Sequence, residues 1–289
     1  MEGQARDAGN GAWTRRAVIG TMVTLAAAPG WARDTPYREG YLDVPGGRLW
    51  HWDTGGDGAP LILIHPGTGG HQSWIHQRGV FARAGFRTIA YSRWGYAPSD
   101  PPPASARPEP EDLLAVLDAM GIDRAHLVGV AAGAGIVAPF VGSYPQRVRR
   151  AALIGSVLGI EDEEIEAMTA RLDWSALAAI PAEFRELGPS YRATSPEGVA
   201  RWLAIARGRP AQRLPRSRST TTPAALVASQ CPLLLATGDA DQFAPPPVMR
   251  AAAARLPHAR YHTIEDSGHA PFWEQPERFN RLLLDFLRE

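Results

Sequence analysis

His126-Leu127-Val128-Gly129-Val130-Ala131-Ala132-Gly133 is the stretch that decides the fold of this chain. It reads as a buried strand running into a glycine-framed turn, and Ile136 to Tyr144 then continues as a helix that Pro145 ends. Glycines on both sides of Ala131 suit a strand-to-helix elbow so sharp that a Cβ on either neighbour would clash with backbone. Working outward, Leu61-Ile62-Leu63-Ile64 and Arg87 to Tyr91 read as strands before the elbow, and Arg150 to Ile154 as the strand after it. Between the first two, Ser73 to Ala84 is expected as one helix. A further helix opens on Pro108-Glu109-Pro110-Glu111-Asp112, where prolines and acids suit the free N–H groups and the dipole of a first turn, and closes at Gly121. Alternation of short apolar runs with helical segments predicts a mostly parallel α/β sheet covered by helices on both faces.

The rhythm breaks after Gly155, and residues 159–229 are read as a helical cap inserted over the sheet. Strands resume at Pro232 to Leu235 and at Tyr261 to Ile264, followed by a closing amphipathic helix from Pro276 to Leu287. Two loops in this last part carry chemistry. Thr237-Gly238-Asp239-Ala240-Asp241 follows a buried strand, and Asp266-Ser267-Gly268-His269-Ala270-Pro271-Phe272 precedes Glu274-Gln275-Pro276.

Taken together, the elbow, the acid loop and the histidine loop resemble the α/β-hydrolase fold superfamily, in the order nucleophile, acid, histidine. The resemblance extends over nearly everything after Tyr41 and is weak in the cap. It implies that Asp241 is the triad acid, that Asp239 braces its loop, and that His269 is the catalytic histidine. From Ile64-His65-Pro66-Gly67-Thr68-Gly69-Gly70 it implies an oxyanion hole donated by Gly67, with Thr68 next in line, and by the N–H of Ala132. His65 in this motif reads as a loop brace. The nucleophile position is vacant, because Ala131 stands where the family carries serine.

Alanine has no hydroxyl, so no acyl-enzyme can form there. Losing a triad serine costs about a million-fold in turnover, or about 8 kcal/mol of barrier. The surrounding motif departs from the family as well, with Gly133-Ala134 for a glycine pair, His65-Pro66 for His-Gly, and Ser92 for an acid before Arg93-Trp94-Gly95-Tyr96. These departures favour natural divergence over an engineered Ser-to-Ala change in an ordinary serine esterase, which remains an alternative. The leading expectation is an enzyme in which His269, oriented by Asp241, is a general base on a small organic substrate. Proton abstraction, lyase chemistry, cofactor-free oxygenation and hydrolysis by activated water all fit that dyad. A non-catalytic protein that binds a small ligand in the old pocket is the rival.

Composition closes other routes. The 30 basic residues balance 30 acidic ones, so no net field favours phosphate backbones, and nucleic acid is not an expected partner. Every basic residue is arginine, which removes Schiff-base and Ser-Lys chemistry. Cys231 is the only cysteine and is expected as a buried small hydrophobe. The histidines at 51, 71, 76, 126, 258 and 262 show no ligand spacing, and neither metal nor cofactor is expected.

Thr14-Arg15-Arg16-Ala17-Val18-Ile19 resembles a twin-arginine export motif, followed by an uncharged run to Ala28 and small residues before an expected cleavage after Ala32. That run is too short for a stable membrane anchor. A periplasmic or secreted protein is therefore expected, the alternative being an extension retained in the cytoplasm. In the cap, Trp174, Phe184, Tyr191 and Trp202 are candidates either for a pocket lining or for cap packing. Arg201, Arg207, Arg209, Arg213, Arg216 and Arg218 form an acid-free run that either attracts a carboxylate or is a solvated surface, and Glu161 to Glu164 is read as a second such surface.

Overall fold

The computed structural model describes residues 35–104, 107–210 and 219–289, so the twin-arginine segment and Arg213, Arg216 and Arg218 lie outside the described residues. In chain order the first half comprises β1 (Arg38–Val44), β2 (Gly47–Asp53), β3 (Pro60–Ile64), α1 (Arg78–Arg83), β4 (Arg87–Tyr91), α2 (Glu109–Ala119), β5 (Ala125–Val130), α3 (Ala134–Ser143) and β6 (Val148–Ile154). Among the described residues six helices then follow without a strand: α4 (Glu163–Thr169), α5 (Trp174–Ala179), α6 (Ala182–Glu186), α7 (Pro189–Thr194), α8 (Pro196–Arg207) and α9 (Pro223–Ala228). The chain closes with β7 (Leu233–Gly238), α10 (Pro246–Ala254), β8 (Arg260–Ile264), α11 (Pro271–Glu274) and α12 (Pro276–Leu287).

The strands form one eight-stranded sheet in the order β1-β2-β4-β3-β5-β6-β7-β8. β1 and β2 form an antiparallel hairpin, β2 joins β4 antiparallel, and every later pairing is parallel. Parallel strands are covered on both faces, and the core divides accordingly. Ile62, Ile64, Leu127, Leu153 and Leu235 point to one side with α2 and α3, while Leu61, Leu63, Val128, Val130, Ile154 and Leu234 point to the other with α1 and α12. The closing helix owes its place to Phe279, Leu283, Phe286 and Leu287, all buried on one stripe. Each such side chain contributes about 1.5–3 kcal/mol on burial.

One expected helix is divided. Residues 71–74 form a 3-10 turn, and regular α-helix begins only at Arg78. The break follows from tertiary docking. Trp74 is buried against Phe272 at a ring separation of 4.8 Å, and Gln77 Nε2 donates to the Phe272 carbonyl (2.8 Å) and to Asn280 Oδ1 (3.1 Å). The β1–β2 hairpin adds two strands that the parallel pattern does not announce, turning at Gly46 and Gly47, which take φ of 106° and 145°.

α4 packs on α10, α9 on α3, and α8 on α6 and α7. Within the described residues no helix is long and apolar enough to cross a membrane. The parallel topology puts the loops after β3, β5, β6, β7 and β8 at one edge of the sheet, the carboxyl edge where α/β proteins place their ligands.

Candidate active site

The loop after β5 is a strained elbow. Ala131 sits at φ 49°, a left-handed conformation that costs an L-residue with a Cβ about 1–2 kcal/mol. The residues two places to either side have to be glycine. A Cβ on Gly129 would lie 2.4 Å from the Gly133 carbonyl oxygen, and one on Gly133 would lie 2.2 Å from that of Ile64. The Ala131 N–H donates to the Ile154 carbonyl at 2.8 Å, which ties the elbow to the end of β6. The strain that projects a nucleophile in such a turn is present here around a methyl group.

Gly155, the next residue after β6, links this elbow to the acid and the histidine. It takes φ 59°, and a Cβ on it would meet Asp241 Oδ2 at 3.0 Å and His269 Nδ1 at 3.3 Å. Residues 131, 241 and 269 are thus brought around the end of one strand. His269 Nδ1–H donates to both Asp241 oxygens, each at 2.9 Å, which leaves Nε2 as the unprotonated nitrogen of the neutral ring. Asp241 is fully engaged, accepting also from Thr237 Oγ1 (2.9 Å), Phe243 N (2.8 Å) and Ala244 N (3.0 Å). Burial opposes charge on both groups, yet each stabilises the other. The carboxylate raises the histidine pKa above its ordinary value, with Glu186 and Glu274 adding to it, and the imidazole together with the donors lowers that of Asp241. Phe243 lies over the imidazole at a ring separation of 4.5 Å, and the partly exposed Trp174 stacks on Phe243 at 6.3 Å.

Asp239 occupies a different place. Its Oδ2 and Oδ1 accept from the Asp266 and Ser267 N–H groups, both at 3.0 Å, so it braces the histidine loop from below.

The loop after β3 abuts the elbow, since a Cβ on Gly67 would stand 3.8 Å from the Cβ of Ala132. Among the described residues neither Gly67 N–H nor Ala132 N–H donates to a protein acceptor, which leaves two adjacent donors for a ligand. Thr68 is buried beside them. The rear of this loop is held rigidly. His65 Nδ1–H donates to the Pro66 carbonyl (2.7 Å) while its Nε2 accepts from Arg93 N (3.0 Å). Burial, with Arg93 adding to it, keeps the His65 pKa well below the usual value, so this ring is neutral with both nitrogens spent. Tyr96 Oη donates to the Gly67 carbonyl at 2.9 Å, and Arg93, paired with Glu109 at 3.1 Å, reaches the Pro66 carbonyl. The sequence marks Arg93-Trp94-Gly95-Tyr96 only as the segment that follows Ser92 and assigns no role to Arg93 or Tyr96.

The four aromatic candidates separate. Trp202 is buried against Phe272 and Trp273, and its Nε1–H donates to Glu186 Oε2 at 3.0 Å, so it belongs to packing. Trp174 and Phe184 are 47% and 50% exposed, Trp174 reaching the site's edge through Phe243, and Tyr191 is half-buried. Arg201, Arg207 and Arg209 are exposed. Cys231 is buried, and desolvation pushes its thiol up to about 12.

A sequence model of the alpha/beta hydrolase family matches residues 61–282. The 2-hydroxy-6-oxo-6-phenylhexa-2,4-dienoate hydrolase of Comamonas testosteroni is 29% identical over 279 residues, covering 83% of this chain and 92% of its own. The 2-hydroxy-6-oxononadienedioate/2-hydroxy-6-oxononatrienedioate hydrolase of Paraburkholderia phymatum is 28% identical over 274 residues, covering 83% and 91%. Among solved structures, a thermophilic esterase from Thermogutta terrifontis with malate bound matches at a TM-score of 0.71 and 24% identity, over 87% of this chain and 98% of that one. That last likeness is one of fold.

Proposed function

The chain belongs to the alpha/beta hydrolase family, and from that premise we propose that it is an exported enzyme that acts on a small organic substrate through a general base instead of a covalent nucleophile. Hydrolases among its relatives support enzyme status and a small-molecule substrate. Export rests on Thr14-Arg15-Arg16-Ala17-Val18-Ile19 alone.

The observation that carries the reading is a complete His–Asp pair beside an elbow that ends in a methyl group. Neutral His269 has its Nδ1–H committed to Asp241, so Nε2 can accept a proton. Because its relatives are hydrolases, hydrolysis by activated water is the favoured form of this chemistry. Nε2 takes a proton from water as the water oxygen attacks a substrate carbonyl carbon. The negative charge that develops on the carbonyl oxygen is met by the N–H groups of Gly67 and Ala132. Collapse of the tetrahedral adduct expels the leaving group, which recovers the proton from the His269 imidazolium. No bond to the protein forms at any point. General-base assistance contributes roughly 10²–10⁴-fold, and a preorganised oxyanion donor roughly 10²–10³-fold.

The test uses 2-hydroxy-6-oxo-6-phenylhexa-2,4-dienoate as the probe substrate alongside simple esters, followed by product formation. Turnover by the native chain that falls at least a hundred-fold in His269→Ala is expected. Turnover untouched by that change, or binding of these compounds without any product, would overturn the reading; the second outcome favours the non-catalytic binder.

A further inference from the structure

We infer that Glu274 is a positioning residue for His269, a buried carboxylate that holds the histidine loop and the inserted helices together as one unit. The inference deepens the general-base reading and takes its catalytic meaning from it.

Glu274 ends α11 and is 5% exposed. Its Oε1 accepts from Gly268 N (3.0 Å) and Ala270 N (3.2 Å), the two peptide groups that flank His269. Its Oε2 accepts from Gly188 N at 2.6 Å, across 86 residues of sequence, and again from Gly268 N at 3.1 Å. The N–H of His269 itself donates to the carbonyl of Glu186 at 2.8 Å. Three consecutive N–H groups of the histidine loop are therefore fixed, two by one side chain and one by the segment that this side chain also grips.

The fit leaves no slack. A Cβ on Gly188 would fall 3.0 Å from Glu274 Oε2 and from Gly268 N, and one on Gly268 would fall 2.7 Å from Gly188 N. Backbone meets backbone at van der Waals range here, and the two oxygens of one carboxylate serve both segments. An N-terminal brace from Asp239 holds Asp266 and Ser267. Glu274 takes over at Gly268, so the loop is supported without interruption up to the imidazole.

The carboxylate also acts through its charge. It lies among His269 of the same loop, Asp241 after β7, and Glu186 and Tyr191 of the insertion, with Arg185 against Glu186 and Arg201 near Tyr191. Burial drives its pKa up to about 7 against the pull of the N–H groups of Gly188, Gly268 and Ala270. Ionised Glu274 in turn helps to raise the pKa of His269.

The experiment is an NMR titration of the full-length chain, comparing native protein with Glu274→Gln, which keeps one acceptor oxygen but puts an amide N–H₂ against peptide N–H groups. In the variant the His269 midpoint falls, and the amide resonances of Gly188, Gly268 and Ala270 all move. A purely structural glutamate would alter the melting temperature without moving the histidine midpoint. A folded variant with an unchanged midpoint and unmoved amides overturns the inference. Should Glu274→Gln fail to fold, the native chain decides. Its three amides are expected to shift together through a single midpoint as Glu274 takes up a proton, and independent or absent shifts overturn the inference. The titration reads positioning without turnover, so its outcome is separate from that of the His269→Ala assay.

Discussion

Gly67 and Ala132 abut, with 3.8 Å between the Cβ of Ala132 and the position a Cβ would take on Gly67. That distance is ordinary van der Waals contact, so Gly67→Ala should fold with a stability change within about 1 kcal/mol. Gly133→Ala contrasts with it, because its methyl would stand 2.2 Å from the Ile64 carbonyl oxygen. A loss of about 3 kcal/mol or more is expected there. Urea unfolding of the two variants checks the pair, and equal stabilities would contradict the elbow geometry.

Asp241→Asn removes the charge that holds His269 in its tautomer while keeping the shape of the side chain. Turnover of the probe substrate should fall by at most the roughly 10²–10⁴-fold that general-base assistance contributes. The far-ultraviolet spectrum should be unchanged, since Phe243 and Ala244 still have an amide oxygen at the Oδ1 position to donate to, and Thr237 Oγ1, which also reaches the Ala244 carbonyl at 2.8 Å, can accept from the amide N–H₂ that replaces Oδ2.

Activity should rise with pH along its acid limb. Only the neutral imidazole accepts a proton, and the folded chain holds the His269 pKa above 6.5, burial being outweighed by Asp241. The midpoint of that limb in kcat/KM is therefore expected above pH 6.5. The same pair governs stability in two windows. Because His269 is raised, its contribution is fully present below pH 6.5 and is lost as pH climbs through the folded value. Because Asp241 is depressed below 3.8, its contribution is present above that value and is lost as pH falls through the folded one. Denaturation midpoints measured from pH 2 to 9 should decline at both ends.

Cys231 offers a check on the opposite side of the sheet. With its thiol buried and pushed up to about 12, iodoacetamide at pH 8 should leave the native chain unlabelled and modify it only after unfolding. Rapid labelling of native protein would place the residue elsewhere.

Much of the site was legible because its pieces are local. The clash that demands glycine at 129 acts within four residues, although the one at 133 comes from Ile64, and the acid and histidine loops each follow a short strand. The resemblance implied separate duties for Asp239 and Asp241, and the structure gives them separate partners. What stayed hidden depends on contacts distant in sequence. Tyr96 meets the Gly67 carbonyl across 29 residues, and Glu274 meets Gly188 across 86. Glu274 did leave one trace, an acid ending the apolar stretch Ala270 to Trp273, where burial of the charge would demand several donors. The single helix expected from Ser73 to Ala84 was lost for a similar reason. Gln77 is drawn toward Asn280, 203 residues away, and no local periodicity encodes that.

The convergence of residues 131, 241 and 269 is tested most directly by restoring the hydroxyl. In Ala131→Ser, the new oxygen would sit on the strained elbow beside the His269–Asp241 pair, where it can be deprotonated and attack a fluorophosphonate, expelling fluoride. Intact-mass spectrometry should show one phosphonyl group per chain in Ala131→Ser, none in the native protein, and none in Ala131→Ser combined with His269→Ala. A folded Ala131→Ser that stays inert to the probe, or native protein that is labelled equally well, would contradict the account.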